Sequence, residues 1–122
     1  MTYQIKKEAL EFMLGVSRSL YPREFIGFLR AEENTITEVI VLPGSIYGRG
    51  FGSVQDHMLP PDKTIIGSVH SHPSQNNLPS KVDKHMFSRK GRINIIIKYP
   101  YQTIEDLAAY NSNGDRVELT AF

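Results

Sequence analysis

Hydrophobic positions recur along this chain at two different periods, and the changes between them mark the elements. Ile5, Ala9, Phe12, Met13, Val16 and Leu20 fall on one stripe at helical spacing, with Lys6, Lys7, Glu11 and Arg18 mostly opposite. The stripe predicts a helix over residues 6–20, stopped by Pro22, which disfavours helical geometry in the residue before it. From residue 24 the period drops to two. Glu24, Ile26 and Phe28 share one face of a predicted strand, and Phe25, Gly27 and Leu29 share the other. A polar turn at 31–34 leads into a second strand, 35–42, its hairpin partner. Residues 63–69 form a short, apolar, β-branched run that reads as a buried strand. Residues 93–99 are almost continuously apolar, the mark of a strand buried on both faces. Residues 107–111 and 116–121 flank Asn113-Gly114, a hairpin signal. A second helix is expected over 81–90, with Ser80 as its N-cap and Gly91 as its stop. Between 43 and 62 the pattern breaks into glycines and the pair Pro60-Pro61, which predicts a long loop beside a site, partly extended near 53–57. There is no internal repeat or linker, so residues 1–122 read as one domain. The expected class is α/β: a single mixed β-sheet flanked by helices on both sides.

Composition narrows the function. The 122 residues suit one core, and 40% hydrophobic with 22% charged is ordinary globular usage. A net charge of +1 makes no case for a nucleic-acid or acidic-membrane partner. The chain has no cysteine, which excludes disulfides, thiolate nucleophiles and cysteine-ligated zinc, and with the last a cytidine-deaminase site. No apolar run approaches the roughly 20 residues that span a bilayer, and residues 1–7 lack the apolar core of a signal peptide. A cytoplasmic protein is the expectation.

The chemistry concentrates in His70-Ser71-His72-Pro73 and the residues that follow, through Ser80 and Asp83. Two histidines one residue apart leave the end of an extended strand on the same face. Catalytic zinc takes three protein ligands plus a water, and Asp83 is the nearest downstream carboxylate. The arrangement reads as an open His/His/Asp metal site. Simpler accounts exist for each part: Ser-x-x-Asp is a common helix start, and a carboxylate in a first turn is favoured by the helix dipole. Glu24 at the head of an apolar strand is an anomaly unless it is a solvated strand end. His57 and Asp56 read as surface residues. Lys81, Lys84, Arg89, Lys90 and Arg92 read as a solvated basic face, and the glycines between 44 and 52 fit no nucleotide-binding pattern.

Together, His-x-His-Pro, six residues, Ser, two residues and Asp resemble the signature of the JAMM (MPN+) zinc metalloproteases. Pro22-Arg23-Glu24-Phe25-Ile26-Gly27 resembles the upstream Pro-x-Glu-x-x-Gly of the same family. The resemblance covers nearly the whole chain and implies the JAMM/MPN fold, with its cytidine-deaminase-like layering. It implies one zinc per chain on His70, His72 and Asp83, Glu24 as general base and acid, and Ser80 as a donor to the oxyanion. It further implies an isopeptidase acting after the C-terminal Gly-Gly of a small ubiquitin-like modifier, in a minimal archaeal or bacterial form. Processing of a sulfur-carrier protein and a non-catalytic scaffold are the alternatives. The partner expected is the modifier or its conjugates, its extended tail adding to a sheet edge, flanked by the glycine-rich segment from Gly44 to Ser53.

Overall fold

A computed structural model describes residues 2–41, 64–79 and 91–122. Strand β1 (Thr2–Ile5) is followed by helix α1 (Lys7–Leu20) and by strands β2 (Ile26–Glu32), β3 (Thr35–Ile40), β4 (Ile65–His72) and β5 (Ile93–Lys98). A single 3-10 turn (Ile104–Asp106) then leads to strands β6 (Leu107–Tyr110) and β7 (Arg116–Ala121). The sheet is mixed, as its sequence pattern indicates. Its order is β1-β3-β2-β4-β5-β6-β7, and β7 returns to pair with β1, so the sheet closes into a barrel. Among the described residues α1 is the one α-helix. The helix expected over 81–90 lies outside them, so flanking helices on both sides of the sheet are not described.

Closure of the mixed sheet depends on β1, a strand that the sequence pattern does not separate from the helix. Thr2 to Ile5 alternate exposed and buried, the signature of a half-buried strand. Four residues running directly into a helix disguise that alternation, because Ile5 also fits the helical stripe. It instead pairs with Ile36 of β3 and Ala121 of β7, both in parallel. The buried face of α1 is Ala9, Leu10, Met13, Leu14 and Ser17, and Phe12 lies outside that arc at 47% exposure.

The core has two sides because the central strands are buried on both faces. Leu29, Val69, Ile93, Ile95 and Ile97 join the buried residues of α1 and β1 in one cluster. Ile26, Phe28, Ile96, Ala108 and Tyr110 make a second cluster on the opposite face. Where β5 enters beside β4, the backbones approach so closely that a Cβ on Gly67 would fall on the carbonyl oxygen of Ile93. Gly91, at φ +151°, brings the chain into that crossing, and the Arg92 amide donates to the Ile66 carbonyl.

Candidate metal centre

β4 carries both histidines, and its neighbours fix which way they point. β2 runs antiparallel to it with Ile26 opposite His70, and β5 runs parallel with Ile96 opposite His70 and Lys98 opposite His72. The antiparallel register continues past the end of β2, where the Ser71 amide donates to the Phe25 carbonyl at 2.9 Å. Glu24 is the residue just before Phe25, beyond the end of β2 and of the paired register. His70, His72, Ile26 and Ile96 thus share the face of the second cluster. His70 is 1% exposed, whereas His72 and Glu24 are half-buried. Two residues back along β4 on the same face, Ser68 donates to the Asn94 side-chain carbonyl at 2.7 Å, which settles that buried polar pair.

The two Nε2 atoms lie 3.0 Å apart. Ring nitrogens that close share either one proton or one cation. Two nitrogens at roughly 2.0–2.1 Å from a single tetrahedral zinc would lie about 3.3 Å apart, a fraction of an ångström from the observed spacing. The other nitrogen of His72, Nδ1, is 2.9 Å from the carbonyl oxygen of Asn76. A carbonyl only accepts, so Nδ1 carries the proton and Nε2 keeps its lone pair, the tautomer a metal requires. The Asn76 carbonyl is held in place by its loop. Asn76 Oδ1 accepts from the Leu78 amide at 2.8 Å, Tyr99 N donates to Ser74 O at 2.8 Å, and the Tyr110 hydroxyl donates to Asn77 O at 2.8 Å. These donor atoms fit a divalent cation. Among the described residues no third His, Cys, Asp or Glu completes a ligand set. Asp83 and Ser80 lie outside the described residues, as do His57, Asp56, Lys81, Lys84, Arg89 and Lys90. Arg92, the one described member of the basic cluster, is exposed; it donates to Glu33 O at 3.1 Å and lies 5.9 Å from the centre of the Tyr3 ring.

Behind the histidines lies a residue that the sequence did not single out. Tyr101 is 1% exposed and its hydroxyl donates to the carbonyl of His72 at 2.9 Å. Burial above all pushes its pKa up to about 12, and the nearby Tyr21, Glu24 and Tyr99 raise it further against a hydrogen bond from Ser71. Ser71, fully buried, accepts the Phe25 amide on Oγ at 2.8 Å. Strand parity does indicate that Ser71 faces away from both histidines; nothing local marks Tyr101 or the Asn76 carbonyl.

A sequence profile of the family described as prokaryotic homologs of the JAB domain matches residues 6–111. A protein of Haloferax volcanii named as a probable metalloprotease is 33% identical over 125 residues, spanning 94% of this chain and 76% of its own. Among solved structures, a JAB1/MPN domain protein from Archaeoglobus fulgidus superposes with a TM-score of 0.77 at 33% identity, covering 97% of both chains. A structure described as JAMM, a metalloprotease-like zinc site in the proteasome and signalosome, gives 0.75 at 30% identity over 100% of this chain and 99% of its own. A protein from Desulfitobacterium hafniense, at 19% identity and a TM-score of 0.58 over 100% and 93% of the two chains, shares the fold.

Proposed function

The chain belongs to the family of prokaryotic homologues of the JAB domain, and from that premise we propose that it is a zinc-dependent metallo-isopeptidase. The observation that carries the proposal is the pair of Nε2 atoms 3.0 Å apart, with His72 held in the metal-binding tautomer by Asn76. His70 and His72 would hold the zinc, with Asp83 as third ligand by its place in the motif. Zinc bound there supplies the Lewis acidity that lowers the pKa of a water from its bulk value toward about 7. Glu24, just beyond the start of the strand beside β4, takes a proton from the attacking water and returns it to the leaving amine. A carboxylate on a neighbouring strand reaches the water without competing as a ligand. Ser80 donates to the carbonyl oxygen as negative charge develops on it.

The substrate proposed is the bond after the C-terminal Gly-Gly of a small ubiquitin-like modifier. A site at strand ends meets a carbonyl most easily where no side chain obstructs it, and glycine provides that. Each described strand has two neighbours in the closed sheet, so the tail is proposed to cross the ends of β2 and β4 that carry Glu24 and His72. The glycine-rich flank from Gly44 to Ser53 lies outside the described residues. Purified protein should carry about one zinc per chain by elemental analysis. It should also cut a modifier fusion joined through Gly-Gly far faster than a matched Ala-Ala fusion. Similar kcat/KM for the two fusions would replace the modifier reading with a general metallopeptidase, and activity that survives complete metal removal would end the mechanism.

A further inference from the structure

The two faces of β4 do different work. His70 and His72 point to one side, and Ser71 between them points to the other, into the core beneath α1. There Ser71 and Tyr101, 0% and 1% exposed, form a buried pair of hydroxyls. The Tyr101 hydroxyl donates to the carbonyl of His72 at 2.9 Å, and Ser71 is the residue next to His72 in the same strand. Ser71 Oγ accepts the amide of Phe25, the residue next to Glu24. In a regular antiparallel ladder that amide would bond a main-chain carbonyl. Here the main-chain half of the exchange, Ser71 N to Phe25 O, is kept, and the other half is taken by a side chain. That replacement falls where regular β2 pairing ends and Glu24 leaves the ladder. Tyr101 is itself fixed, since its carbonyl accepts from Arg18 of α1 and its amide donates to Lys98 O.

We infer that Ser71 and Tyr101 are positioning residues: a buried hydroxyl strut, behind the histidines, that sets the distance between Glu24 and His72. The inference rests on the reading of His70 and His72 as metal ligands and Glu24 as the base. Neither hydroxyl touches substrate or metal. Each acts through the main chain, Tyr101 on His72 itself and Ser71 on the neighbour of Glu24, so the strut joins the strand ends bearing both halves of the site. The alternative is that the two hydroxyls only satisfy buried polar groups, which would affect stability alone.

The test uses the full chain loaded with cobalt(II), whose visible spectrum reports ligand geometry without turnover, beside kinetics on the Gly-Gly fusion and thermal melts. Tyr101→Phe and Ser71→Ala should each weaken metal binding or lower kcat by about 10-fold or more, the scale typical of groups that orient ligands, and should shift the cobalt bands. KM should stay within about twofold. The double variant should lose less than the product of the single losses, because both belong to one strut. Ser71→Thr, which keeps the Oγ, should restore the spectrum and kcat. If melting temperatures fall while spectrum, affinity and kcat hold, the hydroxyls are structural and the inference is overturned. If the wild type binds cobalt but cuts neither fusion, the protease reading fails, and the spectra and affinities alone decide on the strut. Should Ser71→Ala not fold, Tyr101→Phe, which removes a single oxygen, decides.

Discussion

His72 is held from two directions, its Nδ1 at the Asn76 carbonyl and its own carbonyl at the Tyr101 hydroxyl, which leaves Nε2 to meet that of His70. Glu24 differs, being half-buried and just outside the ladder. Glu24→Gln preserves the shape and removes the ability to take a proton. The variant should bind zinc like the wild type while kcat falls by about 10²–10⁴, the usual scale of general acid–base catalysis. Loss of zinc in that variant would mean that Glu24 is a ligand instead. The tyrosines give an independent check on the packing behind the site. Burial raises the pKa of Tyr101 to about 12 and also raises that of Tyr110, where Arg116 partly offsets it. Tyrosinate absorbance should show these two ionising after ordinary tyrosines, with one late step gone in Tyr101→Phe. A raised folded pKa means the folded state holds the proton more tightly. The associated stability is therefore complete below pH of about 10 and lost as pH climbs through the folded value.

At the scale of elements, the sequence was legible where periodicity ran long enough to repeat. The helix over 6–20, the strand pairs and the Asn113-Gly114 turn follow from such patterns. Asn111 Oδ1 accepts from Asn113 N and Asp115 N, and Gly114 sits at φ +86°, so that turn forms as its residues require. β1 was missed because four alternating residues fused with a helical stripe leave no boundary to read. The parallel placement of His70 and His72 followed from parity alone, whereas Tyr101 reaches His72 only through tertiary folding. Close approach of β4 and β5 is equally invisible in sequence, since Gly67 there reads as one weak strand residue. Gly67→Ala should cost about 1–3 kcal/mol, the range for overpacked cores, because Ile93 meets it with rigid backbone. A melting temperature within a degree of wild type would show that the two strands yield easily. Ser80→Ala separates a cap from a catalytic donor. A lost N-cap lowers stability by about 1 kcal/mol, whereas a lost oxyanion donor lowers kcat by about 10²–10³. Normal kcat with a lowered melting temperature would make Ser80 a cap alone.

The closed sheet sets the terms on which the whole molecule would feel a metal. β4 lies between β2 and β5 and contributes to both core clusters, so its C-terminal end is held by strands on either side. His70 is built into that frame at 1% exposure, and Asn76 is tied to β5 and β6 through the loop bonds of Ser74 and Asn77. A cation at the two Nε2 atoms binds a geometry that the paired strands hold fixed, whereas the unfolded chain keeps the two histidines near each other but in no fixed geometry. Zinc should therefore stabilise by mass action, about 2.7 kcal/mol at a free concentration 100 times Kd. For a domain of this size that corresponds to a rise in Tm on the order of 10 °C. Chelation should reverse the rise, and His72→Ala should abolish it while leaving the metal-free Tm close to that of the metal-free wild type, because His72 is half-buried and outside both core clusters. His70→Ala should lower the metal-free Tm as well, since it empties a buried position. A zinc-dependent rise that persists in both variants would place the cation elsewhere in the molecule, and with it the chemistry proposed for this strand end.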